Sequence, residues 1–186
     1  MITVQSWEIL TKKQAKFDQL IVKKSPTNLR WISYFNAERL KLALLVEVGE
    51  FANEIKSFKA WRKKPEVDWD KAKEELIDCL GYFLGLIGVY QINMSSILLV
   101  GCQRKDFTFN KLLLAFFAKT NDLYVEKNEK FYNLENEKIG DKEKNTYYEW
   151  LKTFNRVCEK LQINEKELLN IYLDKYNKNL QRVHAK

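Results

Sequence analysis

Glycine and proline are scarce in this chain of 186 residues, with 6 Gly and 2 Pro. A β sandwich or barrel needs both at its many reversals, so the scarcity speaks for long helices. Cysteine is as sparse. Cys79, Cys102 and Cys158 are odd in number and far apart. They suggest neither a disulfide framework nor a CxxC zinc site. Histidine occurs once, at His184 near the last position. Zinc hydrolysis and Cys–His or Ser–His catalysis are thereby disfavoured. Long apolar runs are missing too. The most apolar stretch, Leu76 to Val89, carries Asp78 and is too short to span a bilayer. MITVQSWEIL lacks the basic-then-apolar pattern of a secretion signal, and the expected location is the cytoplasm.

Positive charge is what the chain has in excess, with a formal net charge of +7. Taken alone, that suits nucleic acid, anionic nucleotides or an anionic surface. It suits a merely Lys-rich composition equally well. The length fits one domain, residues 1–186, burying roughly two-thirds or more of the unfolded chain's surface without a disulfide or metal staple.

Apolar residues recur at helical spacing almost throughout. The pattern predicts helices over about Val4–Lys24, Ile32–Trp61, Trp69–Asn93, Asn110–Glu126 and Thr146–Leu161, with a last one running to about Arg182. Breaks fall at SPTN (25–28) and around Pro65, where Asp68 is the expected N-cap. Further breaks fall near Ser95, Ser96 and Gly101, and in the charged stretch 126–145, read as an exposed connection. Asn164 with Glu167 three residues on resembles a capping box. No strand alternation of useful length and no repeat is present. The expected fold is all-α, a single-domain bundle of about six helices.

Two acidic pairs stand out. Glu47 and Glu50 lie one turn apart beside the apolar stripe Leu44, Val48, Phe51 and Ile55, and Glu54 continues their row. Glu75 and Asp78 repeat the spacing on the next predicted helix, beside Cys79, Phe83 and Leu86. Two antiparallel helices joined by a short loop would pack those stripes together and bring the carboxylates face to face. Crowded carboxylates must share protons, stay wet or bind cations. Oxygen-only ligands suit Mg²⁺ or Mn²⁺, and Mg²⁺ accompanies phosphate substrates. One ExxE pair on a Lys-rich helix is ordinarily a solvated, salt-bridged face. Two such pairs on consecutive helices, each bordering the core, give the metal reading its weight.

ALLVEVGEFANEIKSFKAW followed by EELIDCLGYFLGL resembles the all-α dimeric dUTPases of bacteria and phages, relatives of the MazG-like nucleoside triphosphate pyrophosphatases. Asn53, Phe58, Lys59 and Trp61 are in register with that family's longer motif. Gln14 and Asp18 match its Q-x-x-x-D/N element, and Tyr172, Lys175, Asn179 and Arg182 match Y-x-x-K-x-x-x-N-x-x-R. The resemblance implies a MazG-like core and Mg²⁺-dependent hydrolysis of dUTP, with dUDP as a further substrate, by a homodimer. It implies that Glu47, Glu50, Glu75 and Asp78 hold metal and that Glu50 also activates the attacking water.

The last predicted helix can present Lys175, Asn179 and Arg182 on one face, as phosphate oxygens require. A solvated basic helix end is the competing reading of that trio. Gln14 offers a uracil edge both a donor and an acceptor, with Asp18 beside it. Trp61 and Tyr82 are candidates to shape the base or sugar pocket, or simply to fill core. Two departures bear on specificity. Gly81 and Tyr82 stand where the family often has His and Phe. RVHAK stands where the family continues with Gln and a Gly–Tyr tail, which predicts a less enclosed triphosphate. A related pyrophosphatase acting on dCTP or damaged triphosphates is the nearest alternative. A basic helical nucleic-acid-binding protein and a scaffolding bundle are alternatives of other classes. Acidic rows beside bound phosphate disfavour nucleic acid.

Overall fold

The computed structural model describes residues 2–24, 37–61, 66–94, 107–125 and 139–185. Six helices run through them: α1 (Val4–Lys24), α2 (Ala37–Ile55), α3 (Trp69–Tyr90), α4 (Phe109–Asp122), α5 (Asp141–Lys160) and α6 (Glu165–His184). No strand occurs among the described residues, and the all-α expectation holds. The expected breaks at 25–28 and 95–101, Pro65 and most of 126–145 lie outside them.

Capping side chains set the starts. Asp68 accepts the Lys71 backbone N–H at 3.0 Å, and Asn164 accepts that of Glu167 at 2.9 Å, as their positions predict. The capping box is only half made, because the Glu167 carboxylate turns away to Lys73 at 2.6 Å. Thr108 opens α4 in the same way, one residue earlier than the apolar pattern suggests.

Several ends differ from expectation. α2 stops at Ile55 rather than Trp61, because Lys56 enters the left-handed region at φ 57°. α3 stops at Tyr90 rather than Asn93, where Gln91 (φ 49°) does the same and the Ile92 N–H reaches back to the Ile87 carbonyl at 3.2 Å. α4 ends at Asp122 rather than Glu126. α5 starts at Asp141 rather than Thr146. Its first turn is wholly charged and solvated, so it carries no apolar period. Its acids Asp141 and Glu143 still suit a helix N-terminus.

The helices pack by direction. Lys71 meets Glu54 at 2.8 Å, and a Cβ on Gly85 would lie 3.6 Å from Leu40, so α2 and α3 run antiparallel. Phe51 meets Phe116, and Tyr147 reaches the Tyr124 carbonyl at 2.7 Å, which folds α4 between α2 and α5. Phe83 stacks on Trp150 at 3.9 Å, and the Trp150 indole N–H is satisfied by Thr120 at 2.9 Å. α1 and α6 lie parallel to each other. Glu165 accepts from the Thr3 N–H and hydroxyl at one end, and Lys24 donates to the Val183 carbonyl at 2.6 Å at the other. Both also pack on α3, and the buried apolar residues of all six helices form one continuous core.

Candidate functional site

Antiparallel packing of α2 on α3 brings the two acidic rows together. Carboxylate oxygens of Glu47, Glu75 and Asp78 all lie within 4.8 Å of one another, and each residue is half-buried. Their apolar neighbours explain the placement: Val48, Phe51, Leu76 and Cys79 are buried one residue or one turn away and hold the rows at the edge of the core. Glu50 is exposed and lies outside this trio. Its charge still reaches the site, pushing up the carboxyls of Glu47, Glu75 and Asp78. Glu54 is drawn off to Lys71.

The crowding shows in the electrostatics. Burial first, then Asp78, Glu50 and Glu75, push the Glu47 carboxyl up to about 7. Burial likewise raises Glu75 and Asp78, against the opposing pull of Lys175. The Tyr82 phenol and the buried Cys79 thiol are raised chiefly by burial and then by the same acids. Three mutually destabilised oxygen ligands, half-shielded from water, are a fit for a hard divalent cation. A cation would relieve the repulsion that now favours protonation.

Lys175 supplies part of that relief. Its ammonium lies 2.6 Å from Asp78 and 3.6 Å from Glu74. Burial pulls its pKa down, but Asp78 and the neighbouring acids outweigh it and hold the ammonium charged.

Beside the acids opens a cleft of about 240 Å³ between α1, α2, α3 and α6. It collects Gln14, Asp18, Glu47, Asp78, Tyr82, Lys175, Asn179 and Arg182 from four separated stretches of sequence. Gln14 is held from both sides: its Nε2 donates to Asp18 at 2.8 Å, and its Oε1 accepts from the Tyr172 hydroxyl at 3.0 Å. Burial against that hydrogen bond pushes the Asp18 carboxyl up to about 6. Arg182 Nη1 donates to Asn179 at 3.3 Å, so the two polar ends of the α6 face are already joined.

Gly81 and Gly85 present no side chain to the cleft. A Cβ on Gly81 would come 3.6 Å from Gln14 Oε1, and one on Gly85 would come 3.8 Å from Asp18 Oδ2. The space at Gly81 therefore opens beside the Gln14 amide. Trp61 behaves otherwise: it is 75% exposed and does not line the cleft. Asn53 accepts from Lys59 at 2.7 Å, which ties the turn after α2 to that helix. Several lining residues escaped the sequence reading, among them Phe17 and Tyr176 in the cleft. Phe17 and Tyr176 meet edge to face across the α1–α6 contact, one helical turn from Gln14 and Tyr172. Glu74 joins Lys175 from the neighbouring groove. Its spacing of four from Asp78 was the available signal.

A search of curated proteins finds no significant match. The profile of the dUTPase family matches residues 6–186. The chain belongs to the dUTPase family. Its reaction is the hydrolysis of dUTP, and it is a dUTP diphosphatase. Among the described residues of this dUTPase, the Glu47–Glu75–Asp78 trio is a set of side chains able to hold a divalent metal. None of the helices among the described residues is long and apolar enough to cross a membrane.

Proposed function

We propose that this dUTPase is a Mg²⁺-dependent enzyme, acting as one domain over residues 1–186, that keeps dUTP out of the nucleotide pool by releasing dUMP and pyrophosphate. The observation that carries this reading is the shared cleft. Two acids of the all-oxygen trio, Glu47 and Asp78, face one space of about 240 Å³ together with a lysine, an Asn–Arg pair and a held glutamine, and Glu75 adjoins those two acids. Glu47, Glu75 and Asp78, with Glu50 at their edge, hold the metal. Mg²⁺ held there would offset the triphosphate's charge and lower the pKa of bound water; Mn²⁺ would fit the same donors. Glu50, one turn beyond Glu47 and open to solvent, orients and deprotonates the attacking water.

Lys175, Asn179 and Arg182 bind phosphate oxygens through charge-assisted bonds. Gln14 has one N–H and one lone pair left after its bonds to Asp18 and Tyr172. That donor–acceptor pair suits the imide edge of uracil. Tyr82 flanks the base or sugar. Trp61 is left without a role by its distance from the cleft. dUDP carries the same base and one fewer phosphate, and it is the expected second substrate.

A homodimer is supported by Leu42 and Val46, one turn apart on α2, and Leu114 on α4, which are 63%, 52% and 71% exposed. The proposed location is the cytoplasm. The space beside Gly81 and Gly85 favours one alternative, a wider base specificity reaching dCTP or damaged nucleotides.

Incubating the protein with a nucleotide panel, with and without Mg²⁺, and measuring pyrophosphate separates these readings. dUTP-selective, metal-dependent release is expected; equal release from dCTP would establish the wider specificity. Glu50→Gln is expected to lower kcat by about 10²–10⁴, the range of general-base catalysis, with an unchanged circular dichroism spectrum. Normal turnover by that variant would remove Glu50 from the chemistry.

A further inference from the structure

Lys175 occupies a contested position. Its ammonium is 2.6 Å from Asp78 Oδ2, on one of the three residues whose oxygens form the metal-capable trio. A divalent cation at the trio and an ammonium on the same carboxylate repel each other strongly at that range. Lys175 is therefore a resident counter-cation, and metal entry has to move it. It is anchored by its backbone on α6, which packs on α3, so it can move only as far as its side chain swings. Outside the trio, Glu74 is an acid within that swing. It lies 3.6 Å from the ammonium and, as the residue four before Asp78 on α3, sits on the same helix face one turn toward the N-terminus.

We propose that Glu74 is a positioning residue that receives Lys175 when metal takes Asp78, holding the ammonium at the cleft's edge for the phosphates. The proposal rests on the reading of the trio as the metal site and adds to it a residue outside the trio and outside Glu50. Three features make Glu74 suited to the task. It is partly solvated, at 41% side-chain exposure, so it takes and yields a partner without a large desolvation cost. It is already steadied from the far side by Lys178 at 3.3 Å. It lines the neighbouring groove of about 200 Å³, where Lys73 is already paired to Glu167 at 2.6 Å. Lys175 lines both the groove and the cleft, and is the side chain that connects them.

Without Glu74, the displaced ammonium loses the acid it already approaches at 3.6 Å, and metal must compete against a Lys175 held more firmly on Asp78. Without Lys175, Glu74 has nothing to receive. The two residues therefore act as a unit, and a double-mutant cycle reads their coupling. The measurement is Mg²⁺ binding to the metal-free full-length protein by calorimetry, with no nucleotide present, on wild type, Glu74→Gln, Lys175→Gln and the double variant. Lys175→Gln is expected to bind Mg²⁺ more tightly, by about three- to tenfold, because its competitor is gone. Glu74→Gln is expected to bind it about two- to fivefold more weakly, the scale of a partly exposed ion pair.

In the double variant, loss of Glu74 is expected to have no further effect. If Glu74→Gln weakens Mg²⁺ binding equally with and without Lys175, Glu74 acts only as distant charge and the proposal is overturned. An unchanged Mg²⁺ affinity in Lys175→Gln overturns it as well. Glu74→Asp, which keeps the charge, is expected to recover part of the loss. Failure of the trio reading has a different signature, since wild type itself would then bind no Mg²⁺.

Discussion

Asp18 shows how a single residue is held in an unfavourable state by its setting. Its carboxyl has an ordinary pKa of 3.8 and is pushed up to about 6 by burial, with Gln14 opposing. The fold thus favours the protonated acid. The penalty for ionised Asp18 is absent below about pH 4, grows between 4 and 6, and is complete above 6. Asp18→Asn keeps an acceptor for Gln14 and removes the charge. It is expected to stabilise the protein by about 1–3 kcal/mol at pH 7.5, since each pKa unit is worth about 1.4 kcal/mol, and by almost nothing at pH 4. Urea denaturation at the two pH values checks this, and equal effects at both would show that burial of the charge is not the cause. Residue by residue, the site was legible where chemistry and spacing coincide. Glu47, Asp78 and the K-x-x-x-N-x-x-R face line the cleft, Glu75 adjoins the two acids, and Glu50 lies exposed outside them. Trp61 was not legible, because register with a motif does not say which way a side chain leaves a turn. Glu74 was masked by the charged residues around it, and only the position of Lys175 in three dimensions singles it out.

Elements were easier to find than their ends. All six helices lie where the apolar period puts them, and the capping side chains of Asp68 and Asn164 fix two starts. The C-terminal ends were obscured by the same scarcity of glycine that pointed to helices. Lys56, Gln91 and Gln162 take the left-handed conformation, at φ 57°, 49° and 58°, where glycine would ordinarily announce a stop. Such positions carry strain that a glycine removes. Gln91→Gly is expected to raise stability by about 0.5–1 kcal/mol, with the cap bonds from residues 91 and 92 to Ile87 retained. Thermal melts of the two proteins test it, and a lowered midpoint would mean the Gln91 side chain contributes more than its backbone costs. The charged first turn of α5 was missed for the opposite reason: a solvated turn has no period to read.

At the scale of the whole molecule, the exposed apolar residues Leu42 and Val46 of α2 and Leu114 of α4 offer a contact for the proposed homodimer. Leu42→Glu with Val46→Glu places like charges at any two-fold contact through this face. Analytical ultracentrifugation is expected to show a dimer for the parent and a monomer for the variant. Dimers from both would move the contact elsewhere. The net charge of +7 acts across the same scale, drawing anionic nucleotides toward a site whose own acids repel them until a cation is bound. The parallel pairing of α1 with α6 joins the earliest helix to the latest one. Gln14 and Asp18 come from the first, and Tyr172, Lys175, Asn179 and Arg182 from the second. During synthesis, the acids of α2 and α3 therefore emerge from the ribosome long before the wall that completes their cleft. A nascent chain stalled ahead of α6 carries the carboxylates of α2 and α3 but lacks Lys175, Asn179 and Arg182, the cleft wall proposed to hold the triphosphate.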